Sequence, residues 1–255
     1  MVTREITSLQ HPIVKHLVKL RDDRRYRTSV QTALISGIKL VCELGESCSL
    51  KTLLVSQGYN PPQPLKAEET LIVTEEIMKK ITALKSPEPL AAEITLPTST
   101  ELKGKGPLLV LDQVTDPGNL GNLLRTALAL GWKGAFLTPG TADPFNDKAI
   151  RAAKGATFKL PIQQGSYEEL LKLVGDNKLH LLIADAGGKT IEALQPERGG
   201  IALVLGNEAH GVHLSLKQKG EAIAIPMQKE MESLNVSAAG AILMFRLQEG
   251  FYGKK

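Results

Sequence analysis

Asn119, Arg125, Glu208, Ser233 and Asn235 are the side chains whose types and spacing are best suited to chemistry. They fall in three segments: Asp116-Pro-Gly-Asn-Leu-Gly-Asn-Leu-Leu-Arg125, Leu205-Gly-Asn-Glu208, and Ile225-Pro-Met-Gln-Lys-Glu-Met-Glu-Ser-Leu-Asn235. Each lies just past an apolar run that reads as a strand. Open α/β sheets bind ligands at the carboxyl ends of their strands, so the three segments point to one composite site. The Gly-rich turn lets backbone approach a ligand, and Arg125 can reach an anion with its planar fork. Taken singly, each segment also has a plain structural use. Glu208 suits the first turn of a helix, Pro226 ends a strand, and Ser233 suits an N-cap of the last helix. Their joint occurrence in this order carries the functional reading.

Several other chemistries are excluded. Gly188-Lys-Thr190 resembles the end of a phosphate-binding loop, but Ile183 stands where the first glycine is required. No G-x-G-x-x-G dinucleotide fingerprint and no G-x-S-x-G nucleophile elbow occur. His210 and His213 lack both a third ligand and the i, i+4 spacing of a helical metal site, so no metal is expected.

The elements that must position these residues alternate. Short apolar runs at Leu108–Leu111, Ala135–Leu137, Leu181–Ala184, Ile201–Leu205 and Ala222–Ile225 read as buried parallel strands. Helices are expected at Leu120–Leu130, Asp147–Lys154, Tyr167–Val174 and from about Ser233 to Leu247. This alternation predicts an α/β domain, a mostly parallel sheet with helices on both faces. The N-terminal half reads as a smaller α/β unit. Its expected helices lie within residues 8–25, Ile38–Leu44 and Glu75–Leu84, and its strands at Ala33–Ser36, Leu53–Val55 and Leu71–Val73. The Pro-, Gly- and Ser-rich stretch after Leu96 separates the halves. The predicted division is 1–97, a linker at 98–106, and 107–255.

Residues 1–30 hold seven basic side chains against three acidic ones, an excess equal to the whole formal charge of +4. A basic segment on a neutral body is a plausible polyanion grip, or else a solvated helix face. No stretch is apolar enough to span a bilayer, and the N-terminus lacks a signal core. Cys42 and Cys48 read as free thiols. The expected location is the cytoplasm.

The three segments resemble the three motifs of the SpoU/TrmH family of RNA ribose 2′-O-methyltransferases, within the SPOUT superfamily. The family's Asn-x-Gly-x-x-x-Arg is Asn119-Leu-Gly121-Asn-Leu-Leu-Arg125 here. Its Leu-Gly-(Ser/Asn)-Glu is Leu205–Glu208. Its Ile-Pro-Met and Ser-Leu-Asn-Val-Ser are Ile225–Met227 and Ser233–Ser237. The likeness covers about residues 107–250. The N-terminal half is similar to the substrate-binding domain often attached to these enzymes, itself like a ribosomal-protein fold. Ser36 stands where that domain often has Glu. Lys229 and Ala209 stand where the methyltransferase motifs often have Gly.

The resemblance implies S-adenosylmethionine as cofactor, an RNA substrate, a C-terminal trefoil knot, and a homodimer with the active site at its interface. Ribosomal RNA, 23S above all, is favoured over tRNA, and a non-catalytic RNA-binding or ribosome-assembly protein is the competing class. Leu205, Gly206, Asn207, Ile225, Pro226, Met227 and Leu234 are the expected cofactor contacts. Asn119, Arg125, Glu208, Ser233 and Asn235 are the expected catalytic set. Arg125 is implied either to stabilise charge on the 2′-oxygen or to act as a phosphate-assisted base. Lys15, Arg21, Arg24, Arg25, Arg27 and Lys39 are the expected RNA contacts.

Overall fold

The computed structural model describes residues 2–98, 100–104, 106–191, 200–228, 230–231 and 233–252. Its contacts divide the chain into two compact units, residues 1–98 with 145–158 and residues 99–144 with 159–255.

The first unit holds β1 (Val2–Ile6), α1 (Pro12–Asp22), α2 (Arg24–Val30), β2 (Thr32–Ser36), α3 (Ile38–Gly45), β3 (Leu50–Ser56), β4 (Ala67–Val73), α4 (Glu75–Thr82) and β5 (Leu90–Thr95). The strands form one sheet in the order β1-β4-β3-β5-β2. The β1–β4 and β3–β4 pairs are parallel, and the β3–β5 and β2–β5 pairs antiparallel. Alternate strand residues supply two cores. Leu34, Leu54, Leu71 and Ala91 pack with α1 and α4 through Leu17, Leu20, Ile77 and Ile81. Ala33, Ile35, Leu53 and Ala92 pack with α3 through Leu40, Val41 and Leu44.

The helical spacing expected across residues 8–25 is interrupted at Asp23. Its extended backbone ends α1, and its carboxylate accepts from the Tyr26 amide to start α2. Where Glu is absent at Ser36, Glu88 reaches the start of α3 and accepts from the Ile38 amide at 2.9 Å. Strands β1 and β5 were not expected. Glu93 of β5 is buried, yet accepts from Thr32 at 2.7 Å and Thr52 at 3.2 Å and faces His16 at 3.1 Å. Burial pushes its carboxyl upward, but these partners outweigh burial and hold it below the usual range.

Residues 145–158 were expected in the C-terminal half, but they pack in the first unit. Ile150 of α6 (Asp147–Ala153) joins the α3 core, with Phe145 and Phe158 against it. Those two rings meet at 5.6 Å.

The second unit contains β6 (Leu108–Leu111), α5 (Pro117–Ala129), β7 (Gly134–Leu137), β8 (Ile162–Gln164), α7 (Tyr167–Asp176), β9 (His180–Thr190), β10 (Ile201–Leu205), α8 (Leu214–Lys217), β11 (Glu221–Ala224) and α9 (Val236–Tyr252). Its six strands run in the order β11-β9-β10-β6-β7-β8, with every pairing parallel. Leu108, Val110, Phe136, Ile183 and Val204 face α7 and α8 through Leu170, Leu173 and Leu216. The alternate residues Leu109, Leu111, Leu203 and Leu205 are buried toward α5 and α9. Helices therefore cover both faces, as the continuous apolar runs predict.

Strand β9 runs past its expected end. Ala222 pairs with Ile183 and the next residue, Ile223, with Lys189, so 184–188 form an outward bulge. Gly188 permits the close approach, because a Cβ there would lie 2.5 Å from the Ala222 carbonyl carbon. Of the described helices, none is long and apolar enough to cross a membrane.

Candidate active site

The carboxyl edge of the second sheet opens into a cleft of about 440 Å³. Its floor and rim come from the β9 bulge (Ala184–Ala186), the end of β10 (Leu205–Glu208), the segment after β11 (Ile225 and Met227) and the approach to α9 (Ser233–Val236). The expected cofactor residues Leu205, Gly206, Asn207, Ile225, Met227 and Leu234 all line it. Pro226 does not line it but lies between two residues that do.

Each wall has a local cause. The expected helix at Glu208 is replaced by a tight turn in which Asn207 and Gly211 exchange backbone hydrogen bonds of 3.1 and 2.8 Å. The Asn207 carboxamide holds that turn from inside, accepting from the Ala209 amide at 2.8 Å and the His210 amide at 3.2 Å. It also donates to the Gln113 carbonyl at 2.9 Å. Gly206 admits the turn, since a Cβ there would sit 2.4 Å from the Gly211 carbonyl carbon. Ala209 is not among the residues with positive φ, so this turn does not require Gly at that position. Lys229 lies outside the described residues.

Ser233 is not the N-cap of the last helix. Helix α9 begins at Val236, and the Asn235 carboxamide oxygen accepts from the Ser237 amide at 2.9 Å, which makes Asn235 the cap. Ser233 remains in the cleft wall.

The structure joins three of the five expected catalytic residues. Asn119 stands in the first turn of α5, where Asp116 caps the helix by accepting the Asn119 amide at 2.7 Å. Its side-chain nitrogen donates to Glu208 at 2.7 Å, and its oxygen accepts from Asn235 at 3.2 Å. One carboxamide thus ties the three sequence motifs together. Arg125 stands apart. It is exposed on α5, does not line the cleft, and makes no hydrogen bond or ion pair with a described residue.

Two carboxylates near the site were missed in the sequence. Asp185, in the β9 bulge, lines the cleft and pairs with Lys217 at 2.7 Å. That ammonium and the Gly187 amide hold its carboxyl below the usual range. Asp112 is fully buried just past β6 and accepts from Thr138, Tyr167 and the His213 amide. Both follow apolar runs that were read as strands, which is the signal that marked the three motifs.

The expected RNA contacts lie in the first unit and divide in two. Lys15, Arg24, Arg25 and Lys39 are exposed. Arg27 is only 3% exposed, and its guanidinium donates to the Leu20 and Arg21 carbonyls at the end of α1. Arg21 donates to the Lys80 and Ile81 carbonyls and to Asp22. Helices leave their last carbonyls unpaired, and these two arginines satisfy them. Arg27 is thereby removed from the RNA-contact set. Arg27→Ala is expected to lower stability by about 1–3 kcal/mol through the carbonyls left unpaired. Denaturant unfolding checks this, and an unchanged midpoint would refute the capping role.

A parallel sheet with an apolar, backbone-walled cleft at its carboxyl edge defines an α/β enzyme domain shaped for a small, partly apolar cofactor. Residues 106–245 match the SpoU rRNA Methylase family, and residues 11–92 match the MRM3-like substrate binding domain. The chain is 34% identical to the 23S rRNA (guanosine(2553)-2′-O)-methyltransferase of Bacillus subtilis, over 96% of this chain and 99% of the relative. A solved rRNA methyltransferase from Sinorhizobium meliloti superposes with a TM-score of 0.85 at 28% identity, covering 98% of each chain. An AdoMet-bound rRNA methyltransferase from the same organism gives a TM-score of 0.86 at 26% identity, covering 97% of this chain and 98% of that one. The chain belongs to the SpoU rRNA methylase family.

Proposed function

We propose that this chain methylates a ribose 2′-hydroxyl in 23S ribosomal RNA, with S-adenosylmethionine as the methyl donor. The single observation that carries the reading is the Glu208–Asn119–Asn235 chain at the mouth of a cofactor-sized cleft. The relative matched along nearly its whole length acts, by its name, on a guanosine of 23S rRNA, which favours that RNA over tRNA.

The cleft fits the cofactor. Its volume lies in the ordinary range of small-ligand pockets, about 300–1,000 Å³. Leu234 is 39% exposed although it lines the cleft, an apolar surface suited to an adenine ring. Leu205–Asn207, Ile225, Met227 and Leu234 would hold the cofactor, with Pro226 setting the path of the chain between Ile225 and Met227. Bound there, it supplies a methyl group already activated on a sulfonium. The protein's own work is alignment and management of the 2′-hydroxyl proton. Asn119, Glu208, Ser233 and Asn235 orient the ribose beside the cleft. Arginine alone is a weak base, its pKa lying above about 12. Arg125 acts by stabilising charge on the 2′-oxygen or as a base assisted by the RNA phosphate.

Arg125 lies outside the cleft of its own chain, and α9, packed on α5, exposes Ile242 and Phe245 at 41% and 51%. These observations support a homodimer built on α5 and α9 that completes the active site. The membership of residues 106–245 in the SpoU rRNA methylase family supports a C-terminal trefoil knot. Residues 1–97 act as the RNA-binding domain, joined through 98–106 to the methyltransferase domain, and the protein works in the cytoplasm.

Lys15, Arg24, Arg25 and Lys39 contact RNA phosphates. Replacing Arg24 and Arg25 together with Ala is expected to flatten the slope of log affinity against log salt by about one to two. An unchanged slope would return both residues to a solvated face. The whole reading is tested by mapping ribose methylation in total RNA from cells with and without the gene. Loss of one 2′-O-methyl mark in 23S rRNA is expected, and a full set of marks in cells lacking the gene would count against it.

A further inference from the structure

We propose that the stacked Tyr167–His213 pair is a base-binding platform, taking a nucleobase of the RNA substrate on the open face of the His213 ring. The proposal rests on the RNA methyltransferase reading. The two rings lie with centroids 4.4 Å apart and planes 21° from parallel. Tyr167 opens α7 just past β8, and His213 caps α8, so both rings belong to the carboxyl edge of the sheet.

One buried carboxylate fixes both partners. The Tyr167 hydroxyl donates to Asp112 at 2.8 Å, and the His213 backbone amide donates to its other oxygen at 2.7 Å. Gln113 donates to the Tyr167 oxygen at 2.8 Å. Burial is the main cause that raises the Tyr167 phenol above its ordinary range, so it stays a neutral donor. The platform is also tied to the cofactor cleft, because the Gln113 carbonyl accepts from Asn207 in the cleft wall.

His213 is nevertheless exposed, as is His210, and Leu214 beside it is 65% exposed. The cap explains only part of this residue. Nδ1 of His213 accepts from the Ser215 amide at 3.3 Å, a task that Asn, Ser or Asp performs at helix starts without a ring. What histidine adds is a flat surface, already stacked and held in place. Unstacked RNA bases are recognised by such rings, and a platform ordered beforehand loses little entropy on binding.

Two variants of the full-length protein separate cap from ring. His213→Asn keeps a capping acceptor and removes the ring, whereas His213→Phe keeps a ring and removes the acceptor. His213→Asn is expected to weaken RNA binding about tenfold, the scale of one lost base stack. Its S-adenosylmethionine affinity by calorimetry and its melting temperature should match the parent. His213→Phe should bind RNA within about threefold of the parent, because stacking tolerates a change of ring. Parent-like RNA binding by His213→Asn, or equal losses in the two variants, would overturn the platform. A parent protein that neither binds nor methylates RNA would overturn the reading beneath it, and the platform with it.

Discussion

Arg125→Ala is expected to lower kcat by about a hundredfold or more, the scale on which loss of one charge-stabilising donor acts. S-adenosylmethionine affinity should stay within about twofold of the parent, because Arg125 does not line the cofactor cleft. The residue is exposed and unpaired among described residues, so its removal breaks no internal contact and the fold should keep its melting temperature. Arg125→Lys keeps the charge but not the planar fork, and should recover only part of the rate. Single-turnover kinetics and calorimetry on the same preparations check both halves. Near-normal turnover in Arg125→Ala would remove the residue from the chemistry. A large loss of cofactor affinity would instead place it in the cleft.

Gly206→Ala is expected to act in the opposite manner, on the cofactor. A Cβ at this position would lie 2.4 and 2.5 Å from the backbone of Gly211 and Val212. These are main-chain atoms in the turn closed by Asn207 and Gly211, so they cannot yield as a side-chain tip would. Overpacking of this kind costs about 1–3 kcal/mol, and here it falls on the loop that walls the cleft. S-adenosylmethionine affinity should drop by about tenfold or more. The control is Gly175→Ala, on the exposed face of α7, where a Cβ meets nothing within 4 Å. That substitution should leave cofactor affinity unchanged and raise stability slightly. Equal cofactor affinity in parent and Gly206→Ala would contradict the role given to the turn.

The second unit was largely legible because buried parallel strands are continuous apolar runs. Five of its six strands and its longer helices lie where the runs predict them. The short β8 escaped because three residues, Ile162–Gln164, carry too little pattern. The β9 bulge escaped because pairing of Ile223 with Lys189 is a tertiary fact with no local periodicity. In the first unit, β1 and β5 were missed for a different reason. Glu5 in β1 and the buried Glu93 in β5 break the apolar pattern, and Glu93 is tolerated only because Thr32, Thr52 and His16 surround it.

The site shows the same division between type and role. Residue types and strand-end positions brought Asn119, Glu208 and Asn235 to one place. Their individual roles were less readable. Ser233 looked like a cap by its type, yet Asn235 holds the cap because the chain enters α9 two residues later. Arg27 looked like a phosphate contact by its charge, yet it closes the end of α1. Charge can be read from the sequence, whereas burial depends on how helices α1 and α2 turn against each other.

The most direct measurement is methyl transfer in vitro. The purified protein would be incubated with methyl-labelled S-adenosylmethionine and unmodified 23S rRNA, and the RNA digested to nucleosides for mass spectrometry. A single labelled 2′-O-methylnucleoside is expected, formed by the parent and absent with Arg125→Ala. Label on a base rather than a ribose, or no transfer by a folded protein that binds the cofactor, would contradict ribose methylation as the function of this chain.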